Sequence, residues 1–273
     1  LQVHDGTFPD FYRAAGPARQ RLIRRLLRIP DTVVALSEGW TAYFRDTLGV
    51  RRIAVVPNGL PVARLHETLA DRGRLGIAPH RVAILFMGTA SAALDEAKGL
   101  RDLVEVIATL RIHHPELLLV LAGAASHAAW LPQRLGPAGD GWLALGPIDP
   151  DTRAVVYRSV DIFALPSRAE NMPNTVLEAM AAGCAIVATS VGAVPEMLAA
   201  GAAGRLVPVR DPIALHRALE ELVTTPALRR DLGGRAGARA AACYDMPVIE
   251  HTLGALYESV APGIVRRHSG PLS

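Results

Sequence analysis

The chain contains 273 residues, of which 50% are hydrophobic and 20% charged, and its formal net charge at pH 7 is +3. This is the composition of an ordinary globular protein with a large core, and so mild a charge argues against a nucleic-acid-binding surface. The longest apolar runs, such as residues 117–125, are too short to span a bilayer, and two cysteines cannot form a disulfide framework. The sequence therefore predicts a cytoplasmic protein of one large or two modest domains.

The first eighty residues include an arginine-rich segment. Residues 12–29 carry six arginines interleaved with leucines and an isoleucine, which predicts a basic amphipathic helix. Such a helix either packs its apolar side on a core and leaves its basic side in water, or lies on an anionic membrane surface. We favour the first interpretation and keep a peripheral position on the inner face of a membrane as the second.

A β–α–β unit follows this segment. Residues 32–36 and 53–56 are short apolar strands, and residues 38–48 between them have the pattern of a helix. Pro57-Asn58-Gly59 then marks a turn.

From residue 82 onward, apolar strands alternate with amphipathic segments. A helix is predicted from about Gly99 to His113, with its apolar residues on one face. Continuous apolar strands separated by helices indicate a parallel sheet covered on both faces, which is the doubly wound α/β architecture. The predicted strands are residues 82–87, 117–121, 142–145, 161–165, 185–189 and 205–209.

The carboxyl edge of this sheet gathers the candidate site residues. Gly88, Gly123 and Gly146-Pro147 each follow a predicted strand, and residues 167–170 follow another. Ligands of doubly wound sheets bind where the strands end, so we expect these positions to converge on one site.

The most informative segment is residues 167–183, Ser-Arg-Ala-Glu-Asn-Met-Pro-Asn-Thr-Val-Leu-Glu-Ala-Met-Ala-Ala-Gly. It places Glu170 in a loop after a strand and Glu178 about one turn inside a helix that begins near Pro173. The free N–H groups of this helix form an anion site, and both carboxylates can reach polar groups such as those of a sugar nucleotide. The alternative is structural: Thr175 and Glu178 fit a capping box, and Glu170 is a solvated acid.

This segment resembles the Glu-x7-Glu region of the retaining glycosyltransferases of family 4, and the match continues through residues 185–196 to 204–209. The family has the two-domain GT-B fold, in which Pro-Asn-Gly marks the crossover between the domains. The resemblance implies an α/β protein of GT-B type with one complete doubly wound domain, residues 59–245, that binds a nucleotide-sugar donor. Residues 1–58 would be the remnant of an N-terminally incomplete acceptor-side domain, and residues 246–273 a C-terminal helix and tail.

The resemblance also implies roles for individual residues. Glu178 would hold the ribose hydroxyls of the donor, Glu170 would contact the transferred sugar, and Lys98 would neutralise the diphosphate, so that Glu170 and Lys98 form the catalytic pair. His4 would face the donor sugar across the cleft. The other donor-binding candidates are Gly88, Thr89, Gly146, Ile148, Asn171, Met172, Pro173, Asn174 and Thr175.

The chain departs from the family at the diphosphate site. Many members carry an arginine just after the glycine of the first strand, or directly before the lysine, and this chain has Thr89 and Ala97 there. Helix N–H groups, or an arginine such as Arg168, would have to supply the missing positive charge.

The function that follows is transfer of a sugar, with retention at the anomeric carbon, from a nucleoside diphosphate sugar to a hydroxyl acceptor such as a glycan or a lipid-linked glycan. No cofactor and no catalytic metal is implied, because Asp149-Pro150-Asp151 reads as a helix cap followed by proline rather than as an Asp-x-Asp metal site. Two alternatives stay open: a nucleotide-sugar 2-epimerase of GT-B fold, and a truncated module that binds donor but does not transfer it.

Overall fold

The computed structural model describes residues 8–88, 97–123 and 130–261, and the structural statements that follow concern these residues. Two of the predicted site residues, His4 and Thr89, lie outside them. Within the described part of the chain, no helix combines the length and the apolar character that crossing a bilayer would require.

Short parallel strands and helices alternate along the chain. The strands are β1 (Val33–Ala35), β2 (Ile53–Val55), β3 (Val82–Met87), β4 (Leu117–Ala122), β5 (Trp142–Gly146), β6 (Ile162–Leu165), β7 (Ala185–Thr189) and β8 (Arg205–Val207). The helices are α1 (Phe8–Ala14), α2 (Pro17–Leu26), α3 (Glu38–Asp46), α4 (Val62–Glu67), α5 (Leu100–Leu110), α6 (Leu131–Leu135), α7 (Pro150–Ser159), α8 (Asn174–Ala181), α9 (Val194–Met197), α10 (Pro212–Thr224), α11 (Pro226–Tyr244) and α12 (Met246–Val260).

Strands β3 to β8 form one sheet in the order β5-β4-β3-β6-β7-β8, and every neighbouring pair is parallel. The chain order reverses between β3 and β6, which is the switch point where doubly wound sheets open a crevice for ligands. Both faces are buried, since Ala83 and Leu85 of β3 belong to one core and Ile84 and Phe86 to another. The predicted doubly wound α/β fold is confirmed.

Strands β1 and β2 form a separate parallel pair, with α3 as the connecting helix. Ser37 caps α3 by accepting a hydrogen bond from the N–H of Trp40 at 3.3 Å. The backbone N–H of Glu38 donates to Oε2 of Glu196 at 2.9 Å, which ties the start of α3 to α9. The predicted β–α–β unit is therefore present, and it is packed beside the carboxyl edge of the larger sheet.

The arginine-rich segment does not form the single helix predicted from residues 12–29. The chain makes α1 and α2 instead, separated at Gly16, whose backbone is extended with ψ 163°. The break follows from Pro17, which lacks an N–H and therefore starts a new helix rather than continuing the previous one. Ile23 and Leu27 pack on the core that contains Tyr12 and Trp40, as the favoured interpretation expected, whereas Leu22 and Leu26 are 54% and 52% exposed.

Candidate active site

Three glycines stand side by side where β3, β4 and β5 end. The N–H of Gly88 donates to the carbonyl of Ala122 at 2.8 Å, and the N–H of Gly123 donates to the carbonyl of Gly146 at 2.8 Å. The predicted convergence of these strand ends is confirmed. Because no side chain projects from these three positions, a ligand can approach the backbone at this edge of the sheet.

The segment that carries Lys98 rests on the loop after β6. The N–H of Arg168 donates to the carbonyl of the residue before Lys98 at 3.0 Å. Gly99 has a φ of +77°, and a Cβ at this position would lie 2.2 Å from the carbonyl oxygen of Pro166. Only glycine permits this close approach, which fixes Lys98 at the start of α5 beside the loop that carries Glu170.

A second glycine fixes the same loop from the other side. Gly192, in the turn after β7, has a φ of +52°, and a Cβ there would lie 2.3 Å from the carbonyl oxygens of both Glu170 and Asn171. The N–H of Ala193 donates to the carbonyl of Asn171 at 2.7 Å. The sequence analysis did not single out Gly192, although it lies within the segment that carries the resemblance.

Glu170 is held as a largely buried acid close to Lys98. Its Oε1 atom is buried and has no hydrogen-bond partner among the described residues. Burial raises the pKa of Glu170 above its usual value, and the positive charge of Lys98 acts in the opposite direction. A buried carboxylate oxygen without a partner is costly, so its position is best explained by a ligand that donates a hydrogen bond to it.

A cavity of about 360 Å³ lies over Glu170. One wall is the loop after β6 and the turn of Gly192, and the opposite wall comes from α1 and α3, including Trp40 and Tyr43. The indole Nε1 of Trp40 and the hydroxyl of Tyr43 are buried and lack hydrogen-bond partners among the described residues. Neither aromatic residue was predicted to belong to the site; the sequence places them only on the helix of the β–α–β unit that precedes the Pro-Asn-Gly turn.

Glu178 lies one turn inside α8, as predicted, but it is not part of a capping box. The N-cap is Pro173, and the N-terminus of α8 has no side-chain cap. Instead Oε1 of Glu178 accepts a hydrogen bond from Nη1 of Arg153 on α7 at 3.2 Å. Sequence analysis could not identify this partner, because residues 25 positions apart on different helices meet only in the folded chain.

The start of α8 is held by the turn after β2. The side-chain amide of Asn58 donates to the carbonyl of Met172 at 3.1 Å and to Oδ1 of Asn174 at 3.0 Å. Asn171 and Met172 are buried, whereas Asn174 is exposed. The hydroxyl of Thr175 is buried without a hydrogen-bond partner among the residues that the structure describes. Asn58 was predicted only as part of a turn, and the structure adds it to the site.

The turn after β5 contains a helix cap, as predicted. Oδ1 of Asp149 accepts hydrogen bonds from the N–H groups of Asp151 and Thr152, both at 2.9 Å. The Thr152 hydroxyl also donates to this carboxylate, and together with the two N–H groups it lowers the pKa of Asp149 to about 2, the hydroxyl having the largest effect. Gly146 has a φ of +66°, and Ile148 packs partly buried against the main core at the same corner.

Arg168, the candidate substitute cation, has a carboxylate nearby. Its Nη2 atom lies 4.0 Å from Oδ2 of Asp102, and its side chain lines the cavity over Glu170. Among residues 8–88, 97–123 and 130–261, no group of three or more His, Cys, Asp or Glu side chains is placed to hold a metal ion.

The chain matches a known protein family and several curated relatives. A family model described as "Glycosyl transferases group 1" matches residues 81–225. The phosphatidyl-myo-inositol mannosyltransferase of Mycolicibacterium smegmatis is 30% identical over 257 residues, and the D-inositol 3-phosphate glycosyltransferase of Corynebacterium jeikeium is 33% identical over 252 residues. These alignments cover 93% and 87% of this chain but 62% and 57% of the relatives. The chain thus spans about three fifths of the length of the curated relatives it matches.

Solved structures with the same fold were also found. Sucrose-phosphate synthase from Thermosynechococcus elongatus has a TM-score of 0.78 at 23% identity, with 95% of this chain and 67% of that chain covered. The Anabaena protein HepE in complex with UDP has a TM-score of 0.81 at 20% identity, with 94% and 71% covered. At these identities the likeness shows the fold alone, which is the GT-B fold of glycosyltransferases.

Proposed function

The chain belongs to the glycosyl transferases group 1 family, and on that premise we propose that its protein moves a sugar from a nucleoside diphosphate sugar to a hydroxyl acceptor with retention at the anomeric carbon. One observation carries the proposal: a buried oxygen of Glu170, without a hydrogen-bond partner in the described part of the chain, lies next to Lys98 under a cavity at the switch point of the sheet. The proposal concerns the whole protein, of which this chain matches about three fifths in the relatives.

The donor would lie along the carboxyl edge, from the β5 corner to the Glu170 cavity. Its diphosphate would sit near Lys98 and the uncapped N-terminus of α8, where a positive side chain and backbone N–H groups favour negative charge. These groups stabilise the leaving diphosphate more strongly as its charge grows, which is how they would accelerate transfer. Glu178 would accept hydrogen bonds from the ribose hydroxyls, and the backbone at Gly146 and Ile148 would border the base. A UDP complex is known for HepE, which has the same fold.

The acceptor would enter the cavity from the side of Trp40 and Tyr43. Aromatic faces pack well against sugar and polyol rings, and each of these side chains also carries a buried polar atom that no described residue pairs with. Two relatives are named for inositol-containing acceptors. A hydroxyl-bearing ring of a glycan or lipid-linked glycan therefore suits this wall.

The proposal includes a peripheral contact with an anionic membrane, where a lipid-linked acceptor would be met. Its support is the exposed row of Leu22, Leu26 and Ile29, which lies among the exposed arginines of α2. Apolar residues flanked by arginines are typical of helices that lie on membrane surfaces.

We expect Glu178→Ala to weaken binding of a nucleoside diphosphate by about 1–3 kcal/mol, because a charge-assisted hydrogen bond to the ribose is lost. Calorimetric titration of UDP and GDP measures this. Glu221→Ala is the matched control, since it removes a glutamate paired with Arg205 at 2.8 Å on the far surface of the sheet. Unchanged affinity together with a lower melting temperature would mean that Glu178 only stabilises the helix.

A labelled donor, incubated without acceptor, separates the proposal from its two alternatives. A transferase should hydrolyse the donor slowly, an epimerase should change the sugar, and an inactive module should only bind. Adding acceptor should then accelerate sugar release in the transferase case. Conversion of the sugar to its epimer would overturn the proposed reaction.

Transfer should persist when divalent metal ions are removed. Lys98 and the start of α8 would supply the positive charge that a metal ion provides in other transferases, and the oxygens of Asp149 are engaged as a helix cap. The measurement is the transfer rate in EDTA. A complete loss of transfer that manganese or magnesium restores would contradict this assignment of charge.

A further inference from the structure

We propose that Arg153 is a positioning residue that orients the Glu178 carboxylate toward the ribose, and that it thereby sets the preference for ribonucleotides over 2′-deoxyribonucleotides. This inference rests on the proposed function and adds to it a residue whose type neither the resemblance nor the sequence pattern singles out.

Arg153 and Glu178 meet between two helices whose starts are both fixed. Asp149 caps α7, on which Arg153 lies one turn in, and Glu178 lies one turn inside α8. Nη1 of Arg153 is 3.2 Å from Oε1 of Glu178, and the two side chains are 42% and 17% exposed. The Glu178 carboxylate is the sheltered member of the pair, so the hydrogen bond from Arg153 can favour one rotamer of the glutamate.

Tyr157 lies on the buried side of the Glu178 carboxylate. It lies four residues after Arg153 on α7, so both side chains face the same direction, and it is fully buried. Burial, then the negative charge of Glu178 and a hydrogen bond to its carboxylate, raises the pKa of Tyr157 well above its usual value, so the phenol stays neutral. The carboxylate therefore lies between a cation and a neutral phenol.

The second carboxylate oxygen is the one left for a ligand. Oε2 of Glu178 is buried and makes no hydrogen bond of ordinary length and angle with the described residues; the Tyr157 hydroxyl interacts with this carboxylate and leaves it room for a further donor. A cavity of about 140 Å³ adjoins Glu178 and Arg153. The other arginine of this cavity, Arg64, is paired with Asp151, which leaves Arg153 as the side chain that bonds to Glu178.

The energetic effect is one of preorganisation. A free glutamate side chain loses rotamer entropy when it binds a ribose diol, and Arg153 removes most of that loss before the ligand arrives. Without Arg153 we expect ribonucleotide affinity to fall by about threefold to tenfold, the cost of ordering one flexible side chain. Affinity for the 2′-deoxy form should change little, because it lacks one of the hydroxyls that use this orientation.

The experiment compares UDP and GDP with their 2′-deoxy forms by calorimetric titration of wild type, Arg153→Met and Arg153→Lys. The methionine variant should lose most of the preference for the ribonucleotide, and the lysine variant should regain part of it. Arg158→Met is the matched control on the same helix, since Arg158 donates to the backbone carbonyls of Thr68 and Ala182 and not to Glu178. It should lower the melting temperature and leave the preference intact.

Each of the following outcomes would overturn the inference. If Arg153→Met lowers both affinities equally, or changes only the melting temperature, the pair merely joins the two helices. If wild type prefers the ribonucleotide and Arg153→Met keeps that preference, this inference fails and the proposed function stands. If wild type binds no nucleoside diphosphate at all, the proposed function and this inference fail together.

Discussion

Replacing Gly192 by alanine should destabilise the fold by about 2–5 kcal/mol, because the strain of a positive φ adds to a backbone clash. The substitution should also abolish donor binding. The new Cβ would lie 2.3 Å from the carbonyl oxygens of Glu170 and Asn171. Backbone atoms cannot move aside as a flexible side chain would, so the loop that carries Glu170 must shift. Because Ala193 bonds to the same loop, that shift would also break the 2.7 Å hydrogen bond to Asn171.

Urea unfolding and nucleotide titration of the purified variant measure the two effects. Gly234→Ala is the control, because a Cβ at Gly234 on α11 meets nothing within 4 Å and its backbone is helical. That change should stabilise the protein by up to about 1 kcal/mol through helix propensity. A Gly192→Ala protein with wild-type stability and affinity would show that the turn after β7 does not hold the Glu170 loop.

The strands were predictable because buried parallel strands have continuous apolar sequences, which stand out between amphipathic helices. Residues 185–189 were predicted as a strand, and β7 is Ala185–Thr189. The prediction for β6 began one residue early, at Asp161. Its side chain accepts a hydrogen bond from the N–H of Ala83 at 2.8 Å and pairs with Arg72, so Asp161 holds the start of β6 against β3 through its side chain.

The arginine-rich segment was harder to predict because its periodicity is helical on both sides of the break. Residues 8–15 and 17–27 are both compatible with a helix, and only the Gly16-Pro17 pair signals that one helix ends and another begins. Domain boundaries near residues 58 and 245 remain predictions. Which surface of α2 is covered depends on tertiary contacts that hydrophobic periodicity does not encode.

For the candidate site, sequence reasoning found the residues with chemistry but not those that hold them. Glu170 and Lys98 could be placed together because both follow strands that end at the switch point. Asn58 and Arg153 could not, since they reach the site across 114 and 25 positions of sequence and belong to common residue types. Their roles depend on how α4, α7 and α8 pack, which only the folded chain determines.

Glu170→Gln should lower the rate of transfer by about 10²–10³-fold, a usual loss when one charged group at a reacting centre is removed. The amide keeps the shape of the side chain but removes the negative charge beside the transferred sugar. The comparison is kcat/KM of the variant and wild type, with Glu105→Gln as the control. Glu105 is an exposed glutamate paired with Arg134 at 3.0 Å, away from the cavity, so its replacement should leave transfer unchanged.

The stability of the Glu170→Gln variant relative to wild type should increase as the pH rises. Burial raises the pKa of Glu170 in the folded chain, so the folded state binds this proton more tightly than the unfolded state does. Stability from this carboxyl is therefore present below the unfolded pKa and is lost as pH rises through the folded pKa. Glutamine carries no such cost, so the melting temperature of Glu170→Gln should exceed that of wild type at pH 8 and approach it at pH 4.

Lys98→Met tests the electrostatic link between the two residues. The lysine charge opposes the effect of burial on Glu170, so its removal should raise the pKa of Glu170 further. The acid limb of the residual activity should then move to higher pH, because a larger fraction of Glu170 is protonated at any given pH. If the acid limb stays in place, the charge of Lys98 does not act on Glu170.

The stability measurement also tests the role of Glu170 itself. If Glu170→Gln were inactive but less stable than wild type at pH 8, the carboxylate would be a structural group, and its buried oxygen would no longer argue for a ligand.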